Sequence, residues 1–432
     1  MRSAPAPDLL PIPGMNQGTI VAGGGGGSGD GDGNAGEGGD GENGNGGNGN
    51  GDANGGGPGT GGCGQGGPGH CTNCGHNVSA GDPVEVLTGK VFTVPRREFF
   101  LPGLFNLDFQ RSYSAANRGR DIGMGFGWSH TFGWTLEERG DCTVLRTDDG
   151  AEIHFARFRQ ASEERRGPWG LLRDGDRHAV RPGNEFIHYF TPVAPGAKLH
   201  RLDFVAYRRR GRIALEYDGT RLARAIDTVG RVIVFEPTPE GRIASIAVTQ
   251  PGGRTIVFAR YAYDPTGNLV AATDADGNTA RYAYDAEHRL TRHEFPGGLT
   301  FHYHYDRRGR CIETWGEHPG GDPALSPDVP RMLRDGARAR GIFHCRFSFG
   351  KDYAEVVDSV RVRRIFGGPP GKLRKAIDAS GGVTTRTFDE RGYITSQTDP
   401  TGATWTYAND DLGFPVKEVD PEGGTTTVER DG

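Results

Sequence analysis

A four-residue phrase returns on a fixed beat: "YAYD" at 261–264, again at 282–285, and "YHYD" at 303–306. The closing aspartates, Asp264, Asp285 and Asp306, stand 21 residues apart, and Asp389, Asp410 and Asp431 keep the same spacing later in the chain. Self-similarity at a short fixed period marks a chain built from one stacked unit, and this constrains the fold more than composition can. The fuller phrase reads "YAYDPTGNL" from Tyr261, "YAYDAEHRL" from Tyr282 and "YHYDRRGRC" from Tyr303. Rings at alternate positions (Tyr261 and Tyr263, Tyr282 and Tyr284, Tyr303 and Tyr305) share one face of an extended strand. An Asp followed three residues later by Gly makes a turn, the carboxylate capping backbone amides and the glycine supplying a positive φ. Such pairs are Asp264 with Gly267, Asp306 with Gly309 and Asp389 with Gly392. A second Asp-x-x-Gly falls ten residues after the first, at Asp274 with Gly277, Asp399 with Gly402 and Asp420 with Gly423. Two turns per period leave two short strands, so each repeat reads as one β-hairpin. A lone hairpin is marginal in water, so the hairpins stack side by side into a continuous sheet.

The beat covers only part of the chain. Residues 1–22 form a proline-containing leader, and 23–69 a Gly/Asn/Asp-rich stretch without a single aromatic residue. Such a stretch cannot bury enough apolar surface to offset its ordering entropy and reads as a disordered linker. A Cys/His cluster spans 63–80, a compact β-rich region 81–205, and the repeat array 206–432. The array is degenerate at about 316–366, read as decayed repeats with a loop rather than an inserted domain. The expected fold is mainly β: a small pre-repeat domain followed by a curved, shell-like array of hairpins.

The formal net charge of −5 is mild, and no Lys or Arg lies between Arg2 and Lys90. That field is too weak to point to nucleic acid. The opening "MRSAPAPDLLPIPGM" carries an acid and four prolines, unlike a secretory signal. No apolar run reaches the roughly 18 residues of a membrane-spanning helix.

"CGQGGPGHCTNCGH" places Cys63, Cys71, Cys74 and His76 close together, with His70 as an alternative ligand. These are the ligand types of a tetrahedral structural zinc site; a disulfide and simple free thiols are the other two readings. Cys142, Cys311 and Cys345 stand apart and read as buried small hydrophobes. "FHYHYD" puts His302, His304 and Asp306 on one strand face, where a metal or acid–base site competes with the simpler reading of a polar face turned away from packed rings. Trp128 and Trp134, with Phe126, Phe132 and His130, read as aromatic core rather than a sugar-stacking surface. No nucleophile, base and oxyanion donors converge in any motif, so the expectation is a protein without catalysis of its own.

The repeats, together with "GDPVEVLTGKVF" (81–92), "LPGLFNLDFQRSYSA" (101–115), "GFGWSHTFGWTLE" (125–137) and the leader "PIPGMNQG", resemble the Rhs family of bacterial polymorphic toxins and the related toxin-complex shells. The resemblance implies a non-catalytic structural shell that encloses a toxin for delivery, by type VI secretion or a related contact-dependent route, in interbacterial competition. It implies as partners another Rhs shell segment or a toxin domain, and a secretion-spike protein. It also implies a bacterial protein that is secreted or cell-surface by a signal-peptide-independent route and cytoplasmic before delivery. The alternative is an extracellular YD-repeat module binding carbohydrate or a partner protein. Unlike the family's shells, the sequence stops at Gly432 in mid-repeat, without a toxin tip. The expectation is therefore a split, truncated or partner-dependent form, whose C-terminal edge is completed by another polypeptide or a second copy of the chain.

Overall fold

The computed structural model describes residues 79–428 apart from 157, 159–162, 167–168, 176, 183–185, 208–210, 250–253, 320–330, 361, 368–371, 379 and 411–414. The leader, the linker and all the proposed ligands of the Cys/His cluster lie outside the described residues. Those described are almost all β, with a single short 3-10 turn at Ala115–Asn117. The alternation that favours strands is visible residue by residue. In Phe186–Pro192, Phe186, His188 and Phe190 are buried while Ile187 and Tyr189 between them are not.

The dominant element is a 27-stranded antiparallel sheet. From Glu163–Arg166 to Thr425–Thr427 it is one long meander, each strand pairing with the next in sequence. Ile342–Phe349, Tyr353–Val357 and Val362–Gly367 carry it across the interval where the Tyr-Asp beat lapses. Among the described residues, Thr425–Thr427 pairs only with Pro415–Val419.

The sheet forks once. One edge of Leu199–Tyr207 pairs along its length with Phe186–Pro192. The other edge is shared: residues 204–207 pair with Gly211–Asp218, and residues 199–201 with Thr135–Arg139. Through that second pairing the branch Thr135–Arg139, Cys142–Arg146 and Glu152–Ala156 joins the array. The pre-repeat region also supplies two three-stranded sheets, Ser79–Ala80 with Val84–Glu85 and Lys90–Val91, and Arg96–Leu101 with Leu107–Tyr113 and Trp128–His130.

These small sheets and the array share one hydrophobic core. It runs from Val84, Phe109 and Tyr113 through Trp128 and Trp134 to Tyr261, Leu269, Tyr282, Leu290 and Tyr303. Each large apolar side chain fully buried in this way contributes about 1.5–3 kcal/mol. The pre-repeat region is thus packed onto the aromatic face of the array. Cys142 is buried, as expected of it, but it is disulfide-bonded rather than isolated.

Candidate functional site

The repeat phrase builds the same turn each time. In the first copy, Asp264 Oδ1 accepts from the amides of Thr266 and Asn268, both at 2.9 Å, and the Gly267 amide closes the turn on the Asp264 carbonyl at 3.0 Å. Asp306 does the same with Arg308 and Arg310, at 2.8 and 3.0 Å. Asp389 accepts from the Tyr393 amide at 2.7 Å, and Gly392 closes that turn. Partial burial alone would raise the Asp264 carboxyl. The Asn268 side chain and the turn amides outweigh it and hold the group below its ordinary value. Gly267 sits at φ 91°, in the left-handed region that a side chain resists. The second copy breaks this rule: His288 occupies the glycine position at φ 61°.

The strand leading into each turn carries a feature that the turn motif does not announce. A register shift falls just before the last aromatic, between Ala262 and Tyr263, Ala283 and Tyr284, and His304 and Tyr305. A bulge adds a residue to one strand and re-aims the side chain after it. Here it lets the ring reach back across the previous hairpin. Tyr263 donates to the Ile243 carbonyl at 2.7 Å, Tyr284 to Leu269 at 2.8 Å and Tyr305 to Leu290 at 2.5 Å. Asn409 occupies the same place one set later and donates through Nδ2 to the Ile394 carbonyl at 2.9 Å. The first aromatic of each phrase has a different task. Tyr261, Tyr282 and Tyr303 are buried against the pre-repeat strands.

That contact centres on Arg111, whose side chain is 1% exposed. It is ion-paired to Glu98, donates to the Tyr282 hydroxyl at 3.0 Å, and lies over the rings of Trp128 and Tyr282 at 4.6 and 5.4 Å. Burial works against its charge, but Tyr282 and Glu98 beside it more than compensate and keep the guanidinium protonated. A buried arginine needs such company, because an unpaired charge out of water is expensive. Around it, Tyr113 donates to the His288 carbonyl at 2.8 Å and accepts from the Leu290 amide at 3.2 Å. Trp128 Nε1 donates to the Tyr284 hydroxyl at 2.8 Å, and Phe99 stacks on Phe258 at 4.6 Å. A Cβ added at Gly125 would come within 2.9 Å of the Gly267 carbonyl, so the loop at 125 approaches the first turn backbone to backbone.

Further along, Tyr303 donates to Asp82 at 2.8 Å. Burial pushes the Asp82 carboxyl up to about 6, against the lowering effect of that hydrogen bond. The arrangement is one of docking: it fixes one layer on another and converges on no open cleft.

His302, His304 and Asp306 are not gathered into one site. His302 stacks on Trp315 at 5.0 Å, His304 faces Glu313 at 3.4 Å, and Asp306 is committed to its turn and to Arg310. Asp410 is followed by residues 411–414, which lie outside the described residues. Sequence reasoning missed Arg111 and Glu98. The signal that could have found them is a charged residue in "LDFQRSY", a strand in which Gln110 is the one residue not buried.

Residues 81–155 match a family described as a domain of unknown function (DUF6531), and residues 238–279, 263–294 and 284–314 match the RHS Repeat family. No curated protein matches the sequence. Among solved structures, the chain is similar to the crystal structure of TcdB2-TccC3-TEV, at 12% identity and a TM-score of 0.33, covering 74% of this chain and 22% of that one. It is also similar to a Photorhabdus luminescens Tc holotoxin pore with a mutated TccC3, at 11% identity and a TM-score of 0.30, covering 82% and 27%. The chain thus spans about a quarter of the length of these proteins, and the repeats themselves carry the assignment.

Proposed function

We propose, from the premise that this chain is an RHS-repeat protein, that it is a structural segment of a toxin shell. Its array supplies wall, and its pre-repeat domain packs against the inner, aromatic face. The observation that carries this reading is the asymmetry of the sheet. One face is sealed around Arg111, Trp128, Tyr282 and Tyr303, while the other carries solvated pairs such as Arg292 with Glu294 at 2.6 Å. A wall needs that division, whereas a catalyst needs a cleft where reactive groups converge. The cargo in this reading is a toxin polypeptide. Delivery is between bacteria, by a route that needs no signal peptide and engages a secretion-spike protein. Among the described residues no helix is long and apolar enough to cross a membrane.

The test is co-expression of the full chain with the polypeptide encoded immediately downstream, followed by size-exclusion chromatography and limited proteolysis. The shell reading expects the two to co-elute and the cargo to resist protease. A cargo that elutes alone and is digested freely, with the chain instead retaining a glycan or a surface protein, would replace the shell by a binding module.

A further inference from the structure

Where the sheet forks, three potential metal ligands from three separate strands face one point. Glu138 lies on Thr135–Arg139, His178 on Arg177–Arg181, and His200 on Leu199–Tyr207. Their ligating atoms all lie within 4.8 Å of one another. His178 Nε2 is 3.6 Å and His200 Nε2 is 3.7 Å from the same carboxylate oxygen, Glu138 Oε1. Those separations are too long for hydrogen bonds. They are close to the spacing of two ligands that share a cation, since bonds of about 2.0–2.2 Å in tetrahedral geometry place ligand atoms roughly 3.3–3.6 Å apart.

Two further observations point to a ligand. The Lys198 carbonyl sits behind the cluster and accepts both from the Glu138 amide, at 2.8 Å, and from His200 Nδ1, at 3.2 Å. With its proton held on Nδ1, His200 turns the lone pair of Nε2 towards the carboxylate, the support that metal-bound imidazoles characteristically have. His178 is 4% exposed, and its Nδ1 is buried without a hydrogen-bond partner. A buried imidazole that makes no hydrogen bond is costly, and Nε2, which faces the Glu138 carboxylate at 3.6 Å, is the nitrogen open to a cation. The Glu138 side chain is 43% exposed, which leaves a way in from solvent.

We propose that Glu138, His178 and His200 form a binding site for a divalent transition metal, zinc being the best match to two imidazoles and one carboxylate. The metal ties the branch strand Thr135–Arg139 to the array at the point where Leu199–Tyr207 divides its edge between two partners. The pairing there covers only residues 199–201, so the cross-link reinforces a short join between branch and array.

The test uses the full chain with its free thiols alkylated, so that cysteine thiolates cannot contribute and the disulfide at Cys142 is kept. Metal-stripped protein is titrated with Zn²⁺ against a chelating dye, and with Co²⁺ while the visible spectrum is followed. The expected result is one equivalent of Zn²⁺, a rise in Tm on its addition, and a Co²⁺ spectrum without thiolate charge transfer. Glu138→Gln, at the partly exposed position where folding is least at risk, should weaken binding by about 10-fold or more. His178→Gln with His200→Gln should abolish binding and the Tm response. Absence of stoichiometric binding, or equal binding by a Glu138→Gln variant with unchanged circular dichroism, overturns the proposal.

Discussion

The Tyr284 hydroxyl donates to the Leu269 carbonyl, fifteen residues earlier, across 2.8 Å. The same reach of fifteen residues joins Tyr217 to Leu202, Tyr305 to Leu290 and Asn409 to Ile394. The second aromatic of the phrase therefore stitches each hairpin to the one before it, at the point where the bulge disturbs the ladder. A buried carbonyl left without a donor costs more than the average hydrogen bond gains, and this gives the aromatic a polar task as well as an apolar one.

Tyr284→Phe removes two bonds at once, because the hydroxyl also accepts from Trp128 Nε1. The expected loss is about 2–3 kcal/mol, against about 1 kcal/mol for Tyr217→Phe, whose hydroxyl serves the Leu202 carbonyl. Urea unfolding of the two variants measures the difference. Equal, small losses would mean that water takes over both roles.

Arg111 and Glu98 make a sharper case. Both side chains are at most 2% exposed, so removing either one strands a charge in the core. Arg111→Met should cost about 3–5 kcal/mol, whereas the double substitution Arg111→Met with Glu98→Gln should recover much of that loss. Chemical denaturation of the two variants and the wild type closes the comparison. A double variant less stable than the single one would show that the Glu98 carboxylate contributes through a partner other than the guanidinium.

How much of this was legible beforehand differs by element. The turns were, because Asp and Gly act within five residues of chain and leave a local signature. The stitching tyrosines were visible as a periodic letter, but their purpose depends on a bulge, which comes from pairing between strands and has no residue code of its own. Asn409 shows the consequence. It looks like a decayed Tyr, yet its amide makes the same bond. Arg111 meets Tyr282 across 171 residues, and Glu138, His178 and His200 come from three strands without a shared motif, so only the fold assembles them.

Asp82 links stability to pH. Its ordinary value is 3.8, and burial raises it to about 6 in the folded protein. The folded state therefore holds the proton more tightly than the unfolded chain. The contribution of this group to stability is fully present below about pH 4, declines as pH rises towards 6, and stays low above that. Asp82→Asn keeps an oxygen for the Tyr303 hydroxyl and cannot ionise. The variant should match wild type near pH 4 and exceed it by about 1–3 kcal/mol at pH 7.5. Melting curves of both proteins across that range provide the check, and a difference that does not change with pH would place the carboxylate in contact with water.

His288 poses the last test, because two effects of opposite sign meet in one residue. Its backbone holds φ 61°, where glycine sits in the neighbouring copies, and a side chain there costs about 1 kcal/mol. Its ring stacks on Phe126 at 4.0 Å, and its Nδ1 is 2.7 Å from the Asn268 side-chain oxygen, which together tie the pre-repeat loop to two successive turns. If the ring contacts dominate, His288→Gly destabilises even though it relieves the backbone. His288→Ala, which loses the contacts and keeps the strain, should be worse than glycine by about 1 kcal/mol. Thermal melts of both variants order the three proteins as wild type, glycine, alanine. A glycine variant more stable than wild type would mean that the strain outweighs the stacking, and that His288 is a tolerated departure from the repeat rather than a dock between its layers.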